Sequence, residues 1–524
     1  MTSLSRLAAV AAALLIGWTA EAAQVLHRPS EAEPDSLDPH KMTSGNTVAI
    51  ARDLFVGLIA LDPADKPVPG AAESWEISPD GKLWTFHLRH GMKWSDGTPL
   101  TSADFLYSLR RLVDPATAAD DPSDLVQVAN YEAIVSGKEK DLTRLGVEAP
   151  DPDTLKLHLT SPRLALRFLL SDPQIFPVPR AQIEKWGKDW TRPEHIVSNG
   201  PFTLKSWTPQ AQIVLTKNPN FYDAASVKLD EVDWLNADDM DAAMRRFRGG
   251  EFDWMDCLRT TIAFCRQNLA DVMHVAPINS VGFFVFNMTK GPLSKDGRLR
   301  EALSLAIDRE TLLGKVLQLD QIPAYSIVPP VVSDYTPATL YFKGMPMADR
   351  IAKAKSLMQD AGYGPDHHLA ITGTYPTRES TRQALLAVAA MWKPIWVDLT
   401  LENVEFKVYE NRLNIKDYEM GIMAALGSYD DYENALDNYR SDAGDFNWAG
   451  YNNPKFDELF RRGGTSLDIA QRRELMQQAE ALVLADNVIA PLYFDVRHRV
   501  MNPKLQGVVS GVLYPQSRYL SFAE

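Results

Sequence analysis

Only two cysteines, Cys257 and Cys265, occur in 524 residues, so neither a disulfide framework nor a cysteine-rich zinc site can organise this chain. A chain of this length buries enough surface to do without either. Runs of Lys or Arg are also missing. With 54 basic against 68 acidic residues the net charge is −14, and without a basic face a nucleic-acid partner is not expected. No low-complexity tract interrupts the chain. Its 45% hydrophobic and 23% charged residues mark a folded globular protein of about three or four domains, at ~100–200 residues each.

Catalytic signatures are absent as well. None of the ten histidines lies in an H-E-x-x-H pattern, and there is no G-x-S-x-G elbow, no phosphate loop and no G-x-G-x-x-G. His87-x-x-His90 and His367-His368 read as surface pairs. The adjacent acids Asp238-Asp239 and Asp430-Asp431 are ordinary in so acidic a chain. No enzymatic activity, cofactor or metal is expected. Trp75, Trp84 and Trp94 read as core residues.

Long hydrophobic runs are missing everywhere but at the start. Arg6, the apolar stretch Leu7 to Trp18 and Ala20-Glu21-Ala22 read as a secretory leader over residues 1–22, with the mature chain beginning at Ala23. The apolar stretch falls short of the ~20 residues that span a bilayer. No cysteine at the cleavage site offers a lipid anchor. An exported chain with no membrane span, in the periplasm, is expected. Cys257 and Cys265 can bridge across a turn; on one continuous helix their Cα atoms would stand ~12 Å apart and could not. Both arrangements stay open.

What is present alternates strand and helix signals without repeats. Trp84, Phe86 and Leu88 predict a half-buried strand. The turn Ser95–Pro99 leads to a helix from Thr101 to Val113, capped by Thr101 or Ser102. Phe202–Lys205 and Ile213–Leu215 predict a hairpin around Thr208-Pro209. Leu299, Ala302, Leu303 and Ala306 predict an amphipathic helix over Arg298 to Leu317. Asp468 and Gln471 open another, running to Asp486, with Leu475, Ala479 and Leu482 as its stripe.

The block Ala72-Glu73-Ser74-Trp75 to Ser78-Pro79-Asp80-Gly81, then Trp84 to Arg89, then Trp94-Ser95-Asp96-Gly97-Thr98-Pro99-Leu100-Thr101 and Ala103-Asp104-Phe105 is more specific. It resembles the signature of the peptide-type solute-binding proteins of ABC importers. Further matches follow in family order. They are Ser36-Leu37-Asp38-Pro39-His40, Arg52-Asp53-Leu54-Phe55, Asn199-Gly200-Pro201-Phe202, Lys217 to Tyr222, Arg300 to Arg309, and Tyr451-Asn452-Asn453-Pro454 to Leu459. The similarity spans the mature chain. Asp114-Pro115 and Ile322 to Ser326 lean toward its oligopeptide-binding branch.

The resemblance implies an α/β fold, a two-lobed periplasmic-binding-protein clamp of three domains, one of them discontinuous. The expected division is 23–55 with 178–279 and 492–524 as one lobe, 56–177 inserted in it, and 280–491 as the other lobe. It implies lobe closure on a peptide or peptide-like ligand, delivery to an inner-membrane ABC permease, and a monomer. A non-peptide solute such as an opine-like conjugate, a murein peptide or a metal chelate is the alternative, and an exported hydrolase or chaperone a more distant one. Backbone-pairing edges would fall on Thr43-Ser44-Gly45 and Ala424-Ala425-Leu426. The family's aspartate for the ligand α-ammonium falls on Ser428, a poor partner for a buried cation, which points to an altered ligand preference. Asp430, Asp431 and Asp121 are the candidates to replace it. Ser280 and Leu426 stand where some relatives carry a linking cysteine pair.

Overall fold

The computed structural model describes residues 23–523 apart from Ser44. The expected leader over residues 1–22 therefore lies outside the described residues, as does Ser44.

Three sheets carry the architecture. In the first, Val25–Ser30 runs parallel to Glu231–Asn236, followed by Gln212–Lys217 and Phe202–Thr208. The last two form the expected hairpin, closing from Thr208 to Gln212. The second sheet is antiparallel, in the order Ala72–Ile77, Leu83–Leu88, Thr154–His158, Val147–Asp151. Trp84, Phe86 and Leu88 all point into its core, as their alternation predicts. Trp94 is buried, and Trp75 packs on Phe86 with ring centres 6.5 Å apart.

The third sheet joins the lobes. Its order is Trp254–Asp256, Ile489–Met501, Met273–Phe286, Met420–Leu426, Leu369–Pro376, Val397–Val404. The last two strands are parallel, connected through the helix Glu379–Trp392. The two long strands thread between separate cores. Val281 to Phe286 and Ile489 to Phe494 belong to a core built only from residues 281–494. At their other ends, Met273, Val500 and Met501 pack among residues of the first lobe. Their pairing is regular up to Pro277↔Val496, shifts register, and resumes at Val281↔Phe494. Such an irregularity bends a strand locally. Here it lies at the crossing from one lobe to the other.

Several expected elements appear with their caps. The Ser102–Val113 helix starts with the Thr101 amide donating to Asp104 Oδ2 at 2.8 Å. Asp468 Oδ1 accepts from the amides of Ala470 and Gln471, opening Ile469–Ala485. The helix expected over Arg298 to Leu317 is broken. It runs from Gly297 to Leu305, and Asp308 then caps a new segment by accepting from the Thr311 amide at 3.0 Å. Arg309 donates backward to Ser304 O and across to Pro491 O, which fixes the break. The Asn199-Gly200 motif is a local support. Asn199 exchanges two hydrogen bonds with the Val56 backbone, and a Cβ at Gly200 would overlap the Leu54 and Phe55 backbone.

Cys257 and Cys265 form a disulfide with Cα atoms 6.6 Å apart. Cys257 follows the strand Trp254–Asp256 and Cys265 sits in the helix Ile262–Asn268, so the bridge spans the turn between two elements. Among the described residues no helix is long and apolar enough to cross a membrane.

Candidate ligand-binding cleft

A cavity of about 1400 Å³ separates the lobes, larger than the ~300–1,000 Å³ of ordinary small-molecule pockets. One wall comes from the helix Gly45–Leu54 through Val48 and Arg52, and from segments 121–127 and 161–174. The opposite wall is Leu426–Asp430 with the helix that follows. Ala276–Asn279 of the crossing strand and the loop 509–514 complete it.

The Met420–Leu426 strand supplies an open sheet edge. It pairs with Met273–Phe286 as far as Ser280↔Leu426, but with Leu369–Pro376 only through Met420 and Gly421. At Ile422 the outer edge is closed by Tyr409 Oη, which donates to Ile422 O at 2.7 Å and accepts from its amide at 2.8 Å. Alternate residues of a strand turn their backbone groups the same way. Ala424 and Leu426 therefore present theirs outward, while the Gly427 amide turns inward to Asn279 O at 2.7 Å. Leu426 is 53% exposed and borders the cavity. Ala425 lies between them with its backbone toward the partner strand. Ser280 and Leu426, the positions of the cysteine pair in some relatives, face each other directly.

The other expected residues separate. Ser428 borders the cavity, its amide donating to Asn434 Oδ1 at 2.9 Å. Asp430 borders it too, and Oδ1 accepts from the Ser333 amide at 2.8 Å. Asp121 is exposed in the opposite wall, with Oδ1 accepting from the Ser123 amide. Asp431 does not serve as a spare carboxylate. It is 3% exposed and held by Arg472 at 2.9 and 3.0 Å, and it caps the Tyr432–Leu436 helix. A carboxylate so paired is not free for a ligand cation. The Thr43 amide and hydroxyl both donate to Asp35 Oδ2, and Gly45 opens the helix Gly45–Leu54. Tyr514 lies so close on Gly45 that a Cβ there would overlap its hydroxyl.

The cleft is acidic. Nine carboxylates and five Lys or Arg side chains border it. Asp124 and Asp172 stand on the same wall as Asp121. Burial first, then Asp172 and Asp121, push Asp124 up to about 8. Asp172 is raised as well, by burial foremost. Burial, against the charge of Arg52, lifts Asp65 to about 6. Like charges sharing a desolvated site behave in this way. Motif reading had no signal for Asp124, Asp172, Arg163 or Phe168, because only the fold brings them together. Arg52 stood in a quoted family motif, and its position in the wall could have been suspected.

An open sheet edge leading into an acidic cleft between two α/β lobes defines an extracellular solute receptor. Residues 66–447 match the model of the bacterial extracellular solute-binding proteins, family 5 Middle, and the chain belongs to that family. Over 504 residues it is 35% identical to the periplasmic oligopeptide-binding protein OppA of Escherichia coli (strain K12), covering 95% of this chain and 92% of that one. It matches the structure of the unliganded open form of the periplasmic murein tripeptide-binding protein MppA with a TM-score of 0.86. That match has 32% identity and covers 96% of this chain and 98% of the other. Against Haemophilus influenzae OppA in complex with RPPGFSPFR the TM-score is 0.74, at 30% identity, covering 96% and 100% of the chains.

Proposed function

We propose that this chain is the periplasmic receptor of an ABC importer for peptides or peptide-like solutes. The observation that carries the reading is the outward-facing edge at Ala424 and Leu426, of which Leu426 borders a cleft with room for an extended chain. Backbone pairing along such an edge gives affinity without reading sequence, and a spacious cleft accepts varied side chains. Ligand contacts fall on this edge, on Ser428 and Asp430, and on Asp121 opposite, with Thr43, Ser44 and Gly45 as the second edge.

The domain division at 55/56, 177/178, 279/280 and 491/492 suits the mechanism. Two of these boundaries lie within the crossing strands Met273–Phe286 and Ile489–Met501, so bending there moves one lobe on the other. The better match to the open relative supports an open resting arrangement. The chain is exported by its leader, acts as a monomer, performs no covalent chemistry and presents its closed form to an inner-membrane permease.

Isothermal titration with one short peptide, free and N-acetylated, tests this. Stoichiometric binding of both forms is expected, with weak discrimination, because Ser428 replaces a carboxylate. A large preference for the free amine would contradict the role of Ser428. Its disappearance in Asp121→Asn or Asp430→Asn would then identify the substitute. Failure of every peptide to bind would contradict the function itself.

A further inference from the structure

Glu433 lies between two guanidinium groups. Arg472, in the same lobe, donates to its Oε2 at 2.6 Å. Arg163, across the cleft, donates from Nε to its Oε1 at 3.3 Å. Glu433 is 4% exposed and Arg472 2%, so these charges act in a desolvated setting where attraction is strong. A second contact bridges the same rim: the rings of Phe168 and Tyr429 stack with centres 5.5 Å apart. Gly81 lies against Leu467 at a third point. The segment 56–177 thus touches the far lobe at the rim of the cleft.

This ion pair can be released without stranding a charge. When Arg163 departs, Glu433 keeps Arg472, so no bare carboxylate is left in the core. Arg163 borders the cavity and is left facing it. Burial works against its charge, but Glu433, Tyr429, Asp437 and Asp124 together hold it on. Asp124 belongs to its own side of the cleft. Glu433 therefore has a partner in each of two arrangements, which is what a reversible contact between moving bodies needs.

We propose that Arg163 is a positioning residue: through Glu433 it latches the 56–177 segment to the far lobe in the ligand-free molecule and sets the resting width of the cleft. Ligand then meets a clamp already fastened at one corner. The proposal rests on the cleft being the ligand site. Apparent affinity scales with the fraction of molecules in the competent arrangement, so loss of the latch weakens binding by ~3–10-fold, mainly through slower association.

Pulsed electron-resonance distances between spin labels at Lys138→Cys and Lys455→Cys, one on each body, test the latch directly. The ligand-free protein is expected to show a narrow distribution. It should broaden and lengthen in Glu433→Gln, which removes the carboxylate that Arg163 meets across the cleft. Arg163→Ala should show the same broad, long distribution, and Arg163→Lys should recover part of the narrow one. An Arg163→Ala distribution matching the parent would overturn the proposal, as would a fall in melting temperature with unchanged distances. If Arg163→Ala does not fold, Glu433→Gln decides: unchanged distances overturn the latch. These measurements need no ligand, so they stand even if no peptide binds. Where peptide does bind, an unchanged association rate in Arg163→Ala would also contradict the latch.

Discussion

The ring of Tyr493 lies against Gly282, its partner across the two strands that join the lobes, so closely that a Cβ at 282 would overlap the ring. The register shifts again just beyond this pair, between Gly282 and Phe283. Any side chain at 282 must displace the ring or the strand at the crossing. Gly282→Ala is expected to cost about 1–3 kcal/mol, the usual range for overpacking a filled site, and to alter lobe closure. Urea unfolding measures the first effect. Parental stability in Gly282→Ala would show that the crossing is loosely packed.

The carboxylate excess in the cleft predicts a charge preference. Burial and the neighbouring Asp172 and Asp121 hold a proton on Asp124 up to about 8, and a ligand ammonium or guanidinium group placed beside them favours the ionised form of both Asp124 and Asp172. A peptide carrying Lys should bind at least about 10-fold more tightly than its Glu counterpart at low salt, equivalent to ~1.4 kcal/mol. The gap should narrow in Asp124→Asn and Asp172→Asn. Calorimetric titration with the two peptides checks it, and equal affinities would contradict it.

Stability should fall as pH rises from 6.5 to 8. Glu480 is fully buried and accepts four hydrogen bonds, from the amides of Ile327, Val328 and Ala338 and from Tyr335 Oη. Burial nevertheless pushes it up to about 7, and Asp124 stands at about 8. Both lie above their unfolded values, so the folded protein holds protons that the unfolded chain has already released. Their stabilising contribution is complete in acid and is lost as pH climbs through 7 and 8. His27 is raised chiefly by its hydrogen bond to Asp253 and adds the same sign. His40, lowered to about 4 by burial, has the opposite sign but acts only below about 6.5. Urea midpoints of the ligand-free protein at the two pH values should show the fall, and Asp124→Asn should lessen it. A rise with pH would contradict the assignment.

Removing the disulfide should weaken the first lobe without touching recognition. The bridge closes a short loop, with a sequence separation of 8, for which the chain-entropy model gives about 2–3 kcal/mol. The Cys257→Ser, Cys265→Ser double variant should unfold at lower urea and bind ligand as the parent does. An unchanged urea midpoint would show that the surrounding apolar cluster holds the loop unaided.

Local structure was readable in the sequence wherever one element decides its own shape. The alternation of Trp84, Phe86 and Leu88 and the cap at Asp468 depend only on neighbours. The Arg298 to Leu317 stripe misled because Asp308 caps within it and Arg309 reaches Pro491, a partner on a distant strand. The crossing strand Met273–Phe286 changes from mostly exposed to continuously buried along its length, so neither a period of two nor a simple apolar run describes it. At the site, the Ala424–Leu426 edge came from family resemblance, and its openness from the short pairing of the neighbouring strand. Asp430 and Asp431 looked interchangeable. Their side chains face different surroundings, and the Arg472 that claims Asp431 sits on a helix far along the chain.

The most direct test is mass spectrometry of the small molecules released when protein purified gently from periplasm is denatured. A ladder of mixed short peptides, enriched in Lys and Arg, is the predicted result. A single non-peptide mass would contradict the account and would name the solute for which this cleft is built.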